Sequence, residues 1–114
     1  STFGGNPLVM SAAQATLSVL DDVLPTLQPK IDIFWEKLAA IAALSVVSEV
    51  RGLGMMAGIA LETPVKDVVS DLLDEHIIVL SAGQNTLRLL PPLTIPSDKL
   101  INSLDKIKNY LSKK

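Results

Sequence analysis

From Leu8 to Val23 ten of the sixteen positions are apolar. On a helical wheel of about 100° per residue, Ser11, Gln14, Ser18, Asp21 and Asp22 fall on one narrow stripe. Leu8, Val9, Met10, Leu17, Val19, Leu20, Val23 and several alanines cover the rest. Asn6-Pro7 predicts the start of this helix: Asn is a favoured N-cap, and Pro suits the first helical position because its missing N–H would be unpaired there anyway. A helix apolar over most of its circumference must be buried on most sides. A domain of this size has little room to surround one, so part of this helix is expected to pack on protein outside the chain.

Pro25 and Pro29 punctuate the next stretch. A second helix is predicted over 29–43, with Ile31, Phe34, Trp35, Leu38, Ile41 and Ala42 at helical spacing on its core face. Residues 46–51 are rich in β-branched side chains and read as a strand. Gly52-Leu53-Gly54 marks a turn, and residues 55–62 read as a buried strand. Thr63-Pro64 predicts a third helix, with Thr63 as N-cap, running to about Glu75 with Val65, Val68, Val69, Leu72 and Leu73 inward. A short strand is expected over 77–80, a loop over 81–85, and a strand over 86–90 stopped by Pro91-Pro92. The last helix opens at Ser97-Asp98, with Leu100, Ile101, Leu104, Ile107, Tyr110 and Leu111 as its stripe. Lys106, Lys108, Lys113 and Lys114 gather at its C-terminal end, where the helix dipole favours cations. The order predicts an α+β fold, a small sheet with helices packed on it. Residues 1–24 form a loop and leading helix, and 25–114 the small α+β domain.

Composition narrows the function. The 114 residues are 48% hydrophobic and 19% charged, which argues against disorder. Ten basic against twelve acidic residues give a net charge of −2, without the basic excess that a nucleic-acid or anionic-membrane partner would need. There is no Cys, so disulfides, thiolate metal sites and a Cys nucleophile are excluded, and a single His excludes a multi-histidine centre. No charge precedes Asp21, but the opening lacks the basic region of a signal peptide. Gly4, Gly5, Asn6, Pro7, Ser11, Gln14 and Thr16 also interrupt any membrane span. A buried segment of a non-membrane protein is the expectation.

Four groups of residues are candidates for chemistry. Gly52, Gly54 and Gly58 are misspaced for a dinucleotide fingerprint and lead into a strand, where that motif needs a helix; they read as turn and packing glycines. His76 lies at a helix end beside Asp74 and Glu75, with no local nucleophile, and reads as a surface residue. Arg88 stands in the otherwise apolar run Leu87-Arg88-Leu89-Leu90. By default such an Arg makes a surface ion pair. The functional reading is an anion receptor whose planar fork holds a carboxylate through two hydrogen bonds. Ser1-Thr2-Phe3-Gly4-Gly5-Asn6-Pro7 combines hydroxyls and paired glycines before a helix N-terminus, a pattern that suits phosphate.

Three segments, Ser1-Thr-Phe-Gly-Gly-Asn-Pro-Leu8, Val50-Arg-Gly-Leu-Gly-Met-Met-Ala-Gly-Ile59 and Leu87-Arg-Leu-Leu-Pro-Pro-Leu-Thr-Ile95, occur in one order. Together they resemble the C-terminal part of the class III pyridoxal-phosphate-dependent aminotransferases, across essentially the whole chain. The resemblance implies the C-terminal small domain of a fold-type I enzyme, preceded by an interdomain helix. It implies a cytoplasmic homodimer held through a large domain that this segment does not include. Thr2, with Ser1 beside it, would reach the pyridoxal 5'-phosphate phosphate of the other subunit. Arg88 would receive the substrate α-carboxylate. The Leu-Leu-Pro-Pro-Leu-Thr-Ile run, with Ala82-Gly83, is similar to the branch that works on N-acetylornithine and 2-oxoglutarate in arginine biosynthesis. Ornithine and 4-aminobutyrate are the alternative donors.

The family's chemistry needs a Lys that binds the cofactor covalently and shuttles a proton. In the family it precedes the Ser-Thr-Phe-Gly-Gly segment. The eight Lys residues here fall on polar faces or the tail, so the segment alone is expected to be inactive. The rival expectation is a stand-alone α+β module that dimerises through its apolar first helix and binds a small anion at Arg88.

Overall fold

The computed structural model of the protein describes residues 4–114. Helix α1 (Pro7–Val23) begins as the sequence requires. Asn6 is extended, and its side chain accepts the Val9 N–H at 3.0 Å. A single 3-10 turn (Leu24–Thr26) leads into α2 (Gln28–Ala42), with Pro29 in its first turn. Strands β1 (Val47–Leu53) and β2 (Met56–Leu61) form a hairpin. Helix α3 (Lys66–Asp74) comes next, then β3 (Leu80–Ser81), β4 (Thr86–Leu89) and α4 (Ser97–Leu111).

The four strands make one antiparallel sheet in the order β1-β2-β4-β3. Period-two alternation decides its two faces. Ala57, Ile59 and Leu61 on β2, with Leu87 and Leu89 on β4, point to one side and are buried there. Against them pack Phe34, Leu38 and Ile41 of α2, Val68 and Leu72 of α3, and the α4 stripe Leu100, Leu104, Ile107 and Leu111. Each of these helices is apolar on one side only, so it lies on the sheet and leaves its charged side to water. Lys37 on α2 reaches Asp105 on α4 at 2.8 Å, and the Trp35 indole N–H donates to the Gly54 carbonyl at 2.9 Å, fixing the hairpin turn against α2. The other sheet face, among the described residues, is open.

Several boundaries differ from the sequence expectation. The turn expected over Gly52-Leu53-Gly54 includes Gly54, but the β1–β2 ladder runs on through Gly52 to a Leu53–Met56 pair, so the chain reverses at Gly54-Met55. Helix α3 starts at Lys66, and Thr63 does not cap it. The connection is instead pinned to the loop before β4, where Leu61 N–H donates to Asn85 and Val65 N–H to Gln84. Leu73 is exposed while Leu72 is buried, because the short helix presents a narrow face to the sheet. Of the strand expected over 77–80 only Leu80 pairs, joined by Ser81. Ile77 and Val79 are buried, but the chain leaving α3 meets β4 only at the Leu80–Arg88 and Ser81–Leu87 pairs. Ala42, expected inward, is exposed. Helix α1 buries no residue within the chain.

Candidate functional site

Arg88 occupies the middle of β4. Leu87 and Leu89 face the core, so the pleat turns Arg88 to the open face, where it is exposed. The ladders set its neighbours. Gly58 on β2 stands directly opposite on one side, Leu80 on β3 on the other, and Arg51 on β1 pairs with Gly58 from beyond. One row therefore crosses the sheet: Leu80, Arg88, Gly58, Arg51.

The two guanidinium groups of this row differ. Arg51 Nη1 binds Glu49 Oε2 at 2.7 Å, two residues back on the same strand and face. Arg88 makes no hydrogen bond and no ion pair among the described residues. Apolar neighbours flank Arg88 along the strand, where Leu87 and Leu89 turn to the other face, and across the sheet at Leu80, while Gly58 stands on the β2 side. An exposed, unpaired guanidinium on an open sheet face offers its donor fork to a planar anion without first breaking a protein contact.

The second expected site lies partly outside the described residues: Ser1 and Thr2 are not among them. The adjoining residues are consistent with anion binding. Gly5 adopts φ +63° with open space around it, residues 4–10 are all exposed, and the first turn of α1 carries no acidic side chain. The positive end of the helix dipole is therefore not countered by a local carboxylate.

The remaining candidates fall as expected. His76 is exposed at φ +62°, where it ends α3 by donating its N–H to the Leu73 carbonyl. Gly52 is a close-packing glycine, since a Cβ there would lie 2.1 Å from the Met56 carbonyl oxygen. Lys30 donates to the Leu93 carbonyl at 2.9 Å and Lys37 is paired with Asp105, so neither is a free amine. An apolar cleft of about 370 Å³ lies between α4 and the segment after β4, lined by Phe34, Val79, Leu89, Pro92, Ile95 and Leu104, with His76 at its margin and no Lys or Arg. Among the described residues no group of three or more His, Cys, Asp or Glu is placed to hold a metal. No described helix is long and apolar enough to cross a membrane. Sequence reasoning missed that Gly58 and Arg51 share the Arg88 row. The alternation within each strand was visible, but the register between strands was not.

Comparison with known proteins agrees with this architecture. The family described as Aminotransferase class-III matches residues 1–111. Acetylornithine aminotransferase of Bacillus subtilis (strain 168) is 38% identical over 114 residues, covering 98% of this chain and 30% of that protein. The enzyme of the same name from Mesorhizobium japonicum is 39% identical over 112 residues, covering 95% and 28%. Among solved structures, adenosylmethionine-8-amino-7-oxononanoate aminotransferase from Methanocaldococcus jannaschii superimposes with a TM-score of 0.87 at 31% identity, covering 96% of this chain and 28% of that one. The chain thus spans about 30% of the length of the relatives it matches.

Proposed function

The chain belongs to the class III aminotransferases, and from that premise we propose that it is the C-terminal small domain of a subunit that transfers an amino group between N-acetylornithine and 2-oxoglutarate. Residues 1–24 are the cofactor-phosphate loop and interdomain helix of this reading, and 25–114 the small domain. Arg88 receives the substrate carboxylate. The single observation that supports this most is its guanidinium, exposed and without a partner among the described residues, on a strand whose Leu87 and Leu89 are anchored in the core. A bidentate guanidinium–carboxylate pair fixes the plane of the amino acid as well as binding it, so the reacting carbon is oriented as the substrate docks.

Ser1 and Thr2 supply hydroxyl donors to the phosphate of pyridoxal 5'-phosphate, next to the uncountered N-terminus of α1. When bound, this cofactor supplies the electron sink that amino transfer needs. In this reading the small domain contributes binding and orientation, the covalent Lys and the proton shuttle belong to the large domain, and the 114-residue segment alone is inactive. The apolar helix α1 serves a homodimeric cytoplasmic enzyme as the link between its two domains.

The test is a transaminase assay on the complete gene product carrying this segment, with 2-oxoglutarate as acceptor and N-acetylornithine, ornithine and 4-aminobutyrate as competing donors. Preference for N-acetylornithine supports the reading in full. Preference for another donor changes the substrate and keeps the roles of Thr2 and Arg88. Absence of turnover with every donor favours the stand-alone anion-binding module. In the active protein, Arg88→Ala raises KM by about tenfold or more, the cost of a lost charge-assisted pair, while the cofactor spectrum is unchanged. Equal KM in variant and parent rejects Arg88 as receptor.

A further inference from the structure

The two edges of the sheet are unlike. β3 closes one side with two residues, and so short a strand offers little to pair with. β1 closes the other with seven, the longest strand of the sheet, and carries no Pro or Lys to blunt it. The hairpin decides which of its backbone groups are free. Leu53 and Met56 close a two-residue turn with Gly54, at φ +59°, in its first position, and such a closing pair exchanges both its hydrogen bonds. Alternation gives the Arg51–Gly58 and Glu49–Ala60 pairs the same role. The bonds at the far end of β2 agree: Glu62 N–H turns to the β1 side and donates to Val46, while Leu61 N–H turns away and donates to Asn85. Val50 and Gly52 therefore aim their N–H and C=O groups at the free edge, where no other backbone group bonds them among the described residues. Glu49 and Arg51 flank Val50 on the open face, both more than half exposed, and neutralise each other at 2.7 Å.

We propose that the β1 edge is a docking surface for a second copy of this chain, paired antiparallel about a two-fold axis at Val50 so that two sheets become one. An axis there sets Val50 against Val50 of the second copy, and their outward N–H and C=O groups exchange hydrogen bonds. The same register sets Glu49 against Arg51 of the second copy, and Arg51 against its Glu49. The strand is thus complementary in charge to itself, and opposite charges facing across two strands favour the pairing. An axis at Glu49 or at Arg51 would bring like charges face to face and present the backbone groups already bonded to β2. The ladder is irregular between Val47 and Glu49, so the seam is short, centred on residues 49–51, and the dimer is weak and sensitive to salt. The contact is isologous and uses up the edge on both copies, so it closes at two and does not propagate. It involves neither α1 nor Arg88, and it stands whether or not the readings of those elements hold.

The experiment follows amide hydrogen exchange in the 114-residue chain as its concentration is raised. In the parent chain the Val50 N–H slows by about tenfold once about nine-tenths of the chain is paired, by mass action. The Glu49 and Arg51 N–H groups, bonded to β2, exchange equally slowly at every concentration and report that the hairpin is intact. High salt removes the gain at Val50, because the charges at the seam are exposed. Glu49→Arg and Arg51→Glu each set like charges across the axis, and each abolishes the gain. An equal mixture of the two variants restores it, since each then meets the opposite charge on the other. A Val50 rate independent of concentration overturns the proposal, and so does concentration-dependent protection confined to α1. Protection that survives high salt or either single variant overturns it too, as does a mixture that fails to restore it while Glu49 and Arg51 stay protected. Where a variant loses protection at Glu49 and Arg51 as well, the salt series on the parent chain decides.

Discussion

Gly52 and Gly54 stand two residues apart in one hairpin and play different parts. At Gly52, with φ +153°, a Cβ would meet the Met56 carbonyl oxygen at 2.1 Å and the Ala57 Cα at 2.8 Å, both backbone atoms of the paired strand. The hairpin cannot yield there without parting its own ladder. Gly54 has φ +59° but nothing within 4 Å of an added Cβ. Gly52→Ala is therefore expected to cost about 3 kcal/mol or more through strain and overpacking, and Gly54→Ala only about 1–2 kcal/mol through its left-handed backbone. Urea denaturation of the two variants at constant m-value measures the difference, and equal midpoints would show that the hairpin is looser than its ladder implies. The side chain of Trp35 bears on the same turn: its N–H ties Gly54 to α2, so the turn is held from outside as well.

Helices α3 and α4 are clasped where their exposed ends meet. The Tyr110 hydroxyl on α4 donates to Asp71 Oδ2 on α3, and Lys114 Nζ lies 3.8 Å from the same oxygen and 5.0 Å from the Tyr110 ring centre. Partial burial raises the Tyr110 pKa above its ordinary value of 10.0, and the hydrogen bond to Asp71 adds to the shift. A phenol whose pKa rises on folding holds its proton more tightly in the folded chain. Its stabilisation is complete below about pH 10 and is lost as pH climbs through the raised value. Tyr110→Phe is thus expected to cost about 1 kcal/mol near neutrality and to remove part of the alkaline loss of stability. Parallel unfolding curves for parent and variant above pH 10 would show that the clasp contributes no proton linkage. Lys37–Asp105 plays the corresponding part between α2 and α4, and being partly exposed it is worth little by itself.

At the scale of the molecule the chain is longer than its residue count suggests. Its radius of gyration is 16.5 Å, with extents of 50 × 33 × 24 Å, against about 13 Å for a compact domain of this length. Helix α1 accounts for the difference: its main neighbour is the 3-10 turn after it, and none of its residues is buried. Leu8 is 81% exposed and Leu17 63%. Removing residues 1–23 is therefore expected to change unfolding free energy by less than about 1 kcal/mol, because no core contact is lost. The full chain, with this apolar surface free, is expected to self-associate as concentration rises, while the shortened chain sediments as one species. A large fall in stability on truncation would mean that α1 packs on the domain in solution.

The long elements, α1, α2, α4 and the β1–β2 hairpin, were legible from the sequence alone because their signals are local, whereas of the strand expected over 77–80 only Leu80 pairs. Asn6-Pro7 fixed the start of α1 by capping chemistry, the spacing of Phe34, Leu38 and Ile41 fixed the buried face of α2, and Leu100, Leu104, Ile107 and Leu111 did the same for α4. Arg88 was legible as a candidate because a charge in an apolar run is costly unless the pleat turns it to water. The tertiary structure alone decided how the strands pair. Period-two alternation says which side chains share a face within a strand and nothing about which strand lies beside it, so neither the order β1-β2-β4-β3 nor the row Leu80–Arg88–Gly58–Arg51 could be read from spacing. The late start of α3 has the same origin, since long-range bonds from Leu61 and Val65 to the loop at Gln84-Asn85 overrode the local cap signal of Thr63.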